Sequence, residues 1–416
     1  MRRQATGAAL LWQRAVAMAM QGQARVGLAV SGGGDSMALL HLAQQVAAQS
    51  GCVIHAVTVD HGLRPGSAAE AAQVARHCAE HAMSHQTLLW QRDAVTGNLQ
   101  AAARDARYGL MAGWAQGQGI GRVLLGHTQD DQAETFLMRL GREAGLDGLC
   151  GMPACFTRHG VEWHRPLLEA RRADLRDYLR AEGLGWSDDP SNDDLRFARI
   201  KARAALEALA PLGIDAGGLS RVMAQLDDAR AALRHQVQAV AARLIRQEHG
   251  DLIIDWPALE AEPFEVIRRC VVAGLMWVSG RPYPPRREDV SHIILALASE
   301  GRRTLAGCLL RRQGHEVRIG REFNALRDVT GPTGAPWDRR WRLDGPHDPA
   351  LHVAALGEGG LTLCPDWRAT GLPRTTLLAS PAVWRGERLE AAPLAGVNPD
   401  WTARIVADFH ATLLSH

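Results

Sequence analysis

The stretch Ser31-Gly32-Gly33-Gly34-Asp35-Ser36 lies between an apolar run at 26–30 and an apolar, helix-like stretch at 37–48. Three consecutive glycines let a backbone turn tightly and come close to a ligand. The helix that follows offers unsatisfied backbone N–H groups and the positive end of its dipole. The pattern therefore predicts a phosphate-binding loop between a strand and a helix, in preference to an ordinary glycine-rich turn.

Two common phosphate-binding loops do not fit this stretch. A Walker loop ends in Gly-Lys-Ser/Thr so that its lysine reaches the terminal phosphates. Of the 47 Lys and Arg residues of this chain, only Lys201 is a lysine. A GxGxxG dinucleotide turn is not matched either, because Asp35 and Ser36 occupy its later positions. Both a Walker nucleotidase and a Rossmann dinucleotide enzyme are therefore disfavoured.

Short apolar runs alternate with helical stretches on both sides of this loop. The runs are 26–30, 53–59, 85–90 and 123–125, and the helical stretches are 37–48, 68–82 and 99–115. Strands that alternate with helices form a parallel sheet covered on both faces. Ligands of such sheets bind beyond the carboxyl ends of the strands. The fold class predicted for the first half of the chain is α/β.

Composition excludes several other classes. The 416 residues are 46% hydrophobic and 22% charged, with a net charge of +2. These values are average for globular domains, so disordered, fibrous and membrane proteins are disfavoured, and the length suits two or three domains. Seven cysteines without a CxxC pair favour free thiols and a cytoplasmic location.

The first 22 residues contain arginine and no acidic residue, as some targeting segments do. Helical spacing favours a different interpretation, an amphipathic helix packed on the domain. The residues with that spacing are Leu10, Leu11, Ala15, Met18 and Ala19.

The second half divides further. Periodicity predicts helices at 220–249, 264–278 and 289–298, short strands within 304–319, and a Pro- and Gly-rich linker at 331–350. Residues 268–321 contain eleven Arg and four acidic residues. Such a basic region is expected either from a polyanionic partner or from an arginine-rich coding bias. Three domains are predicted. The first is the α/β domain at 1–210, the second is a mostly helical domain at 211–330, and the third, at 331–416, is the linker followed by a small α+β region.

Polar groups follow two further strands. Asp60 and His61 end the second, where Asp60 suits either a ligand site or a helix cap. The strand at 123–125 is followed by His127, Asp131 and Glu134. Their spacings of four and three put them on one helical face if the helix begins early. Buried acids repel one another unless a cation lies between them, and a substrate ammonium or Mg²⁺ would supply it. An exposed acidic first turn is the alternative.

These motifs resemble one family. The Ser31–Ser36 stretch is similar to the SGGxDS fingerprint of PP-loop, or N-type, ATP pyrophosphatases. Asp60-His61-Gly62-Leu63-Arg64 and the run from His127 to Thr135 resemble the DHGLR and HxxDDQxET motifs of tRNA(Ile)-lysidine synthetases. Further resemblances, in family order, are Ala103 to Tyr108, Arg165-Pro166-Leu167-Leu168 and Trp186 to Asp193. Together they cover about residues 25–205.

The resemblance implies a PP-loop domain of the adenine nucleotide alpha hydrolase-like type, followed by a helical domain and a small α+β domain. It implies that ATP adenylates the wobble cytidine of tRNA(Ile) with a CAU anticodon, and that free L-lysine then displaces AMP to give lysidine. The implied ligands are ATP, Mg²⁺, this tRNA and lysine. No membrane partner is implied. Whether the chain forms a homodimer stays open.

The implied roles fall on matched positions. Asp35 organises Mg²⁺ or phosphate, Asp131 and Glu134 hold lysine, and Arg107 and Arg199 lie near the reacting phosphate or the lysine carboxylate. The residues implied in nucleotide binding are Ser31, Gly32, Gly33, Gly34, Asp35, Ser36, His61 and His127.

The chain departs from the family pattern at Ile200, where Asn is usual, while Arg199 and Arg203 keep their spacing. The role of Arg203 is left open. The alternative functions are a 2-thiocytidine-forming PP-loop thiolase, whose CxxC cysteines this chain lacks, and a non-catalytic tRNA-binding module that senses ATP.

Overall fold

The computed structural model describes residues 7–60, 62, 66–90, 99–187 and 198–415, and gives only the backbone of 99–104, 414 and 415. His61 and most of the predicted run from Trp186 to Asp193 lie outside these residues. The chain forms two compact units, Met1–Arg230 and Ala231–His416. The sequence predicts boundaries at 210/211 and 330/331.

The first unit contains one six-stranded sheet and its helices. Its strands are β1 (Arg25–Ala29), β2 (Val53–Asp60), β3 (Ser84–Leu89), β4 (Arg122–Leu125), β5 (Cys155–Arg158) and β6 (Val161–His164). Its helices are α1 (Gly7–Met20), α2 (Gly34–Ser50), α3 (Ser67–Glu80), α4 (Leu99–Gly117), α5 (Gln129–Leu140), α6 (Leu146–Leu149), α7 (Arg172–Ala181), α8 (Ala198–Leu209) and the start of α9 (Ala216–Leu244).

The sheet has the order β3-β2-β1-β4-β6-β5, and only the β5–β6 pair is antiparallel. Successive strand residues point to opposite faces. On β4, Leu124 packs into one hydrophobic core while Val123 and Leu125 pack into another. The prediction of a parallel sheet covered on both faces is confirmed.

Helix α1 is present, but its buried face matches the predicted one only in part. Leu10, Leu11 and Met18 are 50%, 63% and 74% exposed. Of the predicted residues Ala19 is buried, and it packs into the core with Val16 and Met20, while Ala9 is buried on the same helix. Both sets of residues recur at helical spacing in this apolar helix, so periodicity alone did not identify the face that packs.

Two strand ends meet at the carboxyl edge of the sheet. β1 leads into the glycine loop and β4 leads into Gly126, and the two strands are neighbours. A Cβ atom added at Gly126 would lie 3.1 Å from the backbone oxygen of Asp35 and 3.1 Å from the Cα atom of Ser36. Glycine at 126 thus lets the backbone after β4 pack directly on the first turn of α2.

The second unit contains both strands and helices. Its strands are β7 (Ile245–Glu248), β8 (Asp251–Asp255), β9 (Gly301–Leu305), β10 (Cys308–Gln313), β11 (Glu316–Arg321), β12 (Gly331–Pro332), β13 (Trp341–Asp344), β14 (His352–Ala355), β15 (Pro381–Arg385), β16 (Arg388–Ala391) and β17 (Thr402–Ile405). Its helices after α9 are α10 (Trp256–Glu260), α11 (Phe264–Ser279), α12 (Arg287–Ala296), α13 (Gly357–Thr362), α14 (Arg374–Leu378) and α15 (Phe409–Ser415).

Two details of the second unit differ from the prediction. The long helix ends at Leu244, and β7 pairs with β8 across a two-residue turn in which His249 and Gly250 have φ values of 50° and 88°. Such a turn normally uses Asn-Gly, so the His-Gly pair did not signal it. The segment expected as a linker contributes Trp337 and Trp341, 2% and 5% exposed, to a core.

All seven cysteines are free thiols, as expected. Along the described parts of the chain, no helix is both long and apolar enough to cross a bilayer.

Gly126→Ala tests the close packing at the sheet edge. The added methyl group must push the backbone of Asp35 and Ser36, so we expect a loss of about 1–3 kcal/mol in the free energy of unfolding, measured by urea denaturation. Gly121→Ala, at the other end of β4, is the matched control, because a Cβ atom there meets nothing within 4 Å. Equal stability of the two variants would contradict this packing.

Candidate active site

The glycine loop is fixed by its two serines. Ser36 Oγ accepts a hydrogen bond from the backbone N–H of Ser31 at 3.2 Å and donates one to the carbonyl oxygen of Gly33 at 2.9 Å. Gly32 has φ +90°, a conformation that side chains disfavour, and Gly33 caps α2 without a side chain. The backbone N–H groups of the first turn of α2 are thereby left for a ligand.

Helix α5 begins with a capping box that also buries the predicted acids. The backbone N–H and hydroxyl of Thr128 donate to Asp131 Oδ2 at 2.8 and 3.1 Å, and Asp131 N–H donates back to Thr128 Oγ1. Asp131 and Glu134 are 6% and 1% exposed. The alternative of an exposed acidic turn is therefore wrong, although Asp131 does cap the helix. His127 precedes α5 and does not share its face.

A cation lies between the acids, and it is Arg172 at the start of α7. Its Nε donates to Asp35 Oδ2 at 3.1 Å, its Nη2 to Asp131 Oδ1 at 3.2 Å and its Nη1 to Glu134 Oε1 at 3.1 Å. Its backbone N–H donates to Asp130 Oδ2 at 2.7 Å. One guanidinium therefore joins the glycine loop, α5 and α7.

Two arginines of α8 add positive charge to the same cluster. Arg203 donates to Glu134 Oε1 from Nε and Nη2, both at 3.1 Å. Arg199 lies farther away, with Nη1 3.6 Å from Asp131 Oδ1 and Nε 3.9 Å from Glu134 Oε2. Three arginines thus face the carboxylates of Asp35, Asp131 and Glu134, and Arg203, whose role the sequence left open, contacts Glu134 more closely than Arg199 does.

Two carboxylate oxygens of this cluster are buried without a hydrogen-bond partner in the described part of the chain. They are Oδ1 of Asp35 and Oε2 of Glu134. In each case Arg172 has taken the other oxygen of the carboxylate. A buried acceptor without a donor costs roughly 1–3 kcal/mol. Each oxygen is therefore a place where a bound cation or donor would be stabilised.

Burial and the neighbouring charges raise the pKa values of Asp35 and Arg172 and lower that of Asp131. Burial raises the pKa of Asp35 above its ordinary value, and the charge of Arg172 only partly offsets it. Burial also acts to raise the pKa of Asp131, but the charges of Arg199 and Arg172 hold it below its ordinary value. Burial acts to lower the pKa of Arg172, and the three carboxylates raise it nevertheless. Asp131 and Arg172 are thus ionised at neutral pH.

His127 is a neutral imidazole at the edge of the cluster. Burial lowers its pKa to about 3, against the charge of Asp131 and helped by the charges of Arg165 and Arg199. Its Nδ1 atom is buried without a hydrogen-bond partner among the described residues. A neutral ring can donate or accept one hydrogen bond to a ligand.

The other predicted residues have different surroundings. Arg107 is exposed on α4, and its charge also lowers the pKa of His127. Tyr108 of the same motif is buried in a hydrophobic core and serves the fold.

Arg172 is the central residue that the sequence analysis missed. It occupies the first helical position of α7, directly after Arg171. A positive charge at a helix N-terminus opposes the helix dipole, so it is unfavourable unless an acid compensates it. Two arginines at that position were therefore a signal of nearby carboxylates.

Comparison with known proteins gives a consistent result. Residues 9–209 match the family described as the PP-loop domain. The chain is 48% identical over 395 residues to the tRNA(Ile)-lysidine synthase of Ruegeria pomeroyi, covering 94% of each chain. It is 37% identical over 384 residues to that of Mesorhizobium japonicum, covering 83% of each. It is 33% identical over 342 residues to that of Wolbachia pipientis wMel, covering 80% of this chain and 79% of the relative.

Arg172→Gln tests the central charge. Two buried carboxylates and the half-buried Asp35 lose their shared partner, so we expect a loss of about 3 kcal/mol in the free energy of unfolding at pH 7, the low end for a broken buried pair, since Arg199 and Arg203 remain. The control is Arg171→Gln, whose side chain is 55% exposed and 3.7 Å from Asp215, where little change is expected.

The pH dependence of the Arg172→Gln deficit follows from the same charges. A carboxyl group whose pKa is lower in the folded than in the unfolded chain, such as Asp131, stabilises the fold at pH values above its pKa in the unfolded chain, about 3.9. This stabilisation is lost as the pH falls through the pKa in the folded chain. Without Arg172 the folded pKa values of Asp35 and Asp131 rise, so both take up protons nearer neutral pH. The deficit should shrink between pH 7 and pH 5 in urea titrations; a constant deficit would contradict this electrostatic origin.

Proposed function

The chain belongs to the tRNA(Ile)-lysidine synthase family of PP-loop enzymes, and we propose that in the cytoplasm it joins free L-lysine to C2 of the wobble cytidine of tRNA(Ile) with a CAU anticodon. ATP first adenylates the C2 carbonyl oxygen and releases pyrophosphate. The side-chain amine of lysine then attacks C2, loses a proton and expels AMP. The observation that carries this proposal is the buried carboxylate cluster directly beside the glycine loop.

ATP binds at the glycine loop in this proposal. The first-turn N–H groups of α2, from Gly34 onward, contact the phosphates, and the neutral ring of His127 offers a further hydrogen bond. His61, outside the described residues, stays a sequence prediction for this site.

The donor set fits a Mg²⁺ ion held jointly with ATP. Asp35, Asp131 and Glu134 do not form a three-ligand metal group in the part of the chain that the structure describes. Asp35 Oδ1, buried and without a hydrogen-bond partner there, is a suitable single oxygen ligand, since Mg²⁺ usually binds one or two carboxylates plus substrate phosphates. The ion would neutralise phosphate charge, and Asp35 would hold it.

Lysine binds through an ammonium group at Glu134 Oε2. This oxygen is buried and has no hydrogen-bond partner among the described residues, while Oε1 of the same carboxylate accepts hydrogen bonds from Arg172 and Arg203. An ammonium in that position gains a charge-assisted hydrogen bond and relieves an unsatisfied acceptor. Asp131 adds negative charge nearby, and Arg199, 39% exposed at its side chain, is close enough to bind the lysine carboxylate or a phosphate.

Arg172 positions the two half-sites relative to each other. It contacts Asp35 on the ATP side and Glu134 on the lysine side through different nitrogens. The reaction needs the phosphate, the base and the amine to be held in line, and such positioning supplies much of the rate of a two-substrate reaction. We assign Arg172 to this role, without direct contact to the reacting atoms.

The tRNA partner fits exposed basic residues of the second unit. Several of the arginines in 268–321 are bound to acids there, including Arg268 and Arg269 to Glu265, and Arg321 to Asp338. Arg281 and Arg286 are exposed, and no carboxylate of the described residues lies within ion-pair distance of them. Tyr283 lies between them and is 78% exposed. Cations beside an exposed aromatic ring suit the phosphates and unpaired bases of RNA.

The direct test is incubation of the protein with total tRNA, ATP and radiolabelled lysine. We expect ATP-dependent incorporation of lysine into one tRNA, with AMP and pyrophosphate formed in equal amounts. Replacing ATP with ADP is the control. Sulfur incorporation instead of lysine would favour the thiolase alternative, and tRNA binding without turnover would favour the non-catalytic one.

Glu134→Gln tests the lysine site. The amide keeps an acceptor for Arg172 but removes the charge, a loss of about 1.5–3 kcal/mol for a charge-assisted hydrogen bond. We expect the KM for lysine to rise roughly 10–100-fold, while lysine-independent release of pyrophosphate changes much less. Glu169→Gln, an exposed acid before α7, is the control. An unchanged KM for lysine would remove Glu134 from this role.

Tyr283→Ala tests the tRNA surface. Loss of one stacked base costs about 1–3 kcal/mol, so we expect roughly 5–100-fold weaker tRNA binding in filter-binding assays at fixed salt. Tyr283→Phe keeps the aromatic face and should bind like the parent chain. Tight binding by the alanine variant would show that this ring does not contact tRNA.

A further inference from the structure

The C-terminal end of α3 brings together side chains that the proposed function does not use. His77, Glu80 and His81 each offer one ligand atom, and these three atoms lie within 4.8 Å of one another. It is the one such group of three found among the described residues. We propose that these residues form a site for a divalent transition metal of the Zn²⁺, Ni²⁺ and Cu²⁺ class.

One hydrogen bond prepares His81 as a ligand. Its Nδ1 atom lies 2.9 Å from the backbone carbonyl oxygen of His77. A carbonyl oxygen only accepts, so Nδ1 carries the proton and the lone pair lies on Nε2. Metal-binding histidines commonly donate their second N–H to a backbone carbonyl in this way, which fixes the ring orientation and the tautomer.

The geometry needs only a small adjustment. The rings of His77 and His81 have centroids 4.4 Å apart and planes inclined by 31°. In a tetrahedral zinc site with Zn–N bonds of 2.0–2.1 Å, neighbouring nitrogens are about 3.3 Å apart. His81 and Glu80 are exposed and His77 is half-buried, so rotation of their side chains can close the remaining gap. A water molecule can take the fourth position.

The charges at this point also favour a cation. α3 ends at Glu80 and His81 caps it, so the negative end of the helix dipole points toward the site. Two imidazole nitrogens with one carboxylate oxygen select Zn²⁺, Ni²⁺ or Cu²⁺ over Mg²⁺ or Ca²⁺.

The site is coupled to the fold through α3. Val74, on the same helix, packs on the glycine loop, since its Cγ2 atom would lie 3.4 Å from a Cβ atom at Gly32. A metal bound at the end of α3 links His77 and Glu80 of its last turn to His81, the residue that follows the helix. Binding to the folded chain alone stabilises the fold by mass action. The site therefore supports α3 and takes no part in the transfer of lysine.

The test uses the full chain without an affinity tag, freed of metal with a chelator and titrated with ZnCl₂ by calorimetry. We expect one equivalent to bind and to raise the melting temperature. His81→Gln removes a ligand and should lower the zinc affinity more than tenfold, since loss of a residue that only hydrogen-bonds to a ligand already costs about 10–100-fold, and it should abolish the thermal shift. His292→Gln, an exposed histidine of α12, is the matched control.

The comparison between variants makes the result decisive. Zinc that binds elsewhere, for example to the thiols of Cys150 or Cys155, would be unaffected by His81→Gln. Equal affinity and equal thermal shift in the parent chain and the His81→Gln variant would overturn the proposal. Substitution of Co²⁺ gives a second readout, because a tetrahedral site with nitrogen ligands produces a strong visible absorption band that the variant should lose.

Discussion

The guanidinium of Arg172 is the contact on which the arrangement of the site depends. It binds one oxygen from each of Asp35, Asp131 and Glu134, and these residues come from the glycine loop and from α5. Buried carboxylates this close together would otherwise repel each other or take up protons. Arg172, with Arg199 and Arg203 beside it, therefore permits three acids to lie together next to the glycine loop, and Asp35 Oδ1 and Glu134 Oε2 keep no hydrogen-bond partner among the described residues.

The fold of the first unit was largely predictable, because its strands and helices have distinct hydrophobic periods. The runs at 26–30 and 123–125 became β1 and β4 within one residue. The buried face of α1 was not predictable, since Leu10 and Val16 are equally apolar and only tertiary packing selects between them. The β7–β8 hairpin was missed because a helical apolar pattern continued up to a His-Gly turn.

The site was predictable in its acids and not in its cation. The carboxyl ends of neighbouring parallel strands lie at one edge of the sheet, so the glycines and acids that follow them meet there. This places Asp35 near Asp131 and Glu134. The requirement for a cation between them was also correct in kind. The sequence did not identify Arg172 as such a cation, because Arg172 is far away in sequence and reaches the cluster only through the packing of α7; the substrate ammonium and Mg²⁺ stay predictions. Glu134 Oε2 accepts no hydrogen bond from the described residues, with Arg199 Nε at 3.9 Å, and the proposed lysine site depends on that atom.

The most direct measurement of this account is the crystal structure of the protein with lysine and a non-hydrolysable ATP analogue. The account predicts an ammonium nitrogen of lysine within hydrogen-bond distance of Glu134 Oε2, with Arg172 still bound to Asp35 and Asp131 and the phosphates on the first turn of α2. Lysine bound away from Glu134, with Oε2 still without a donor, would contradict it.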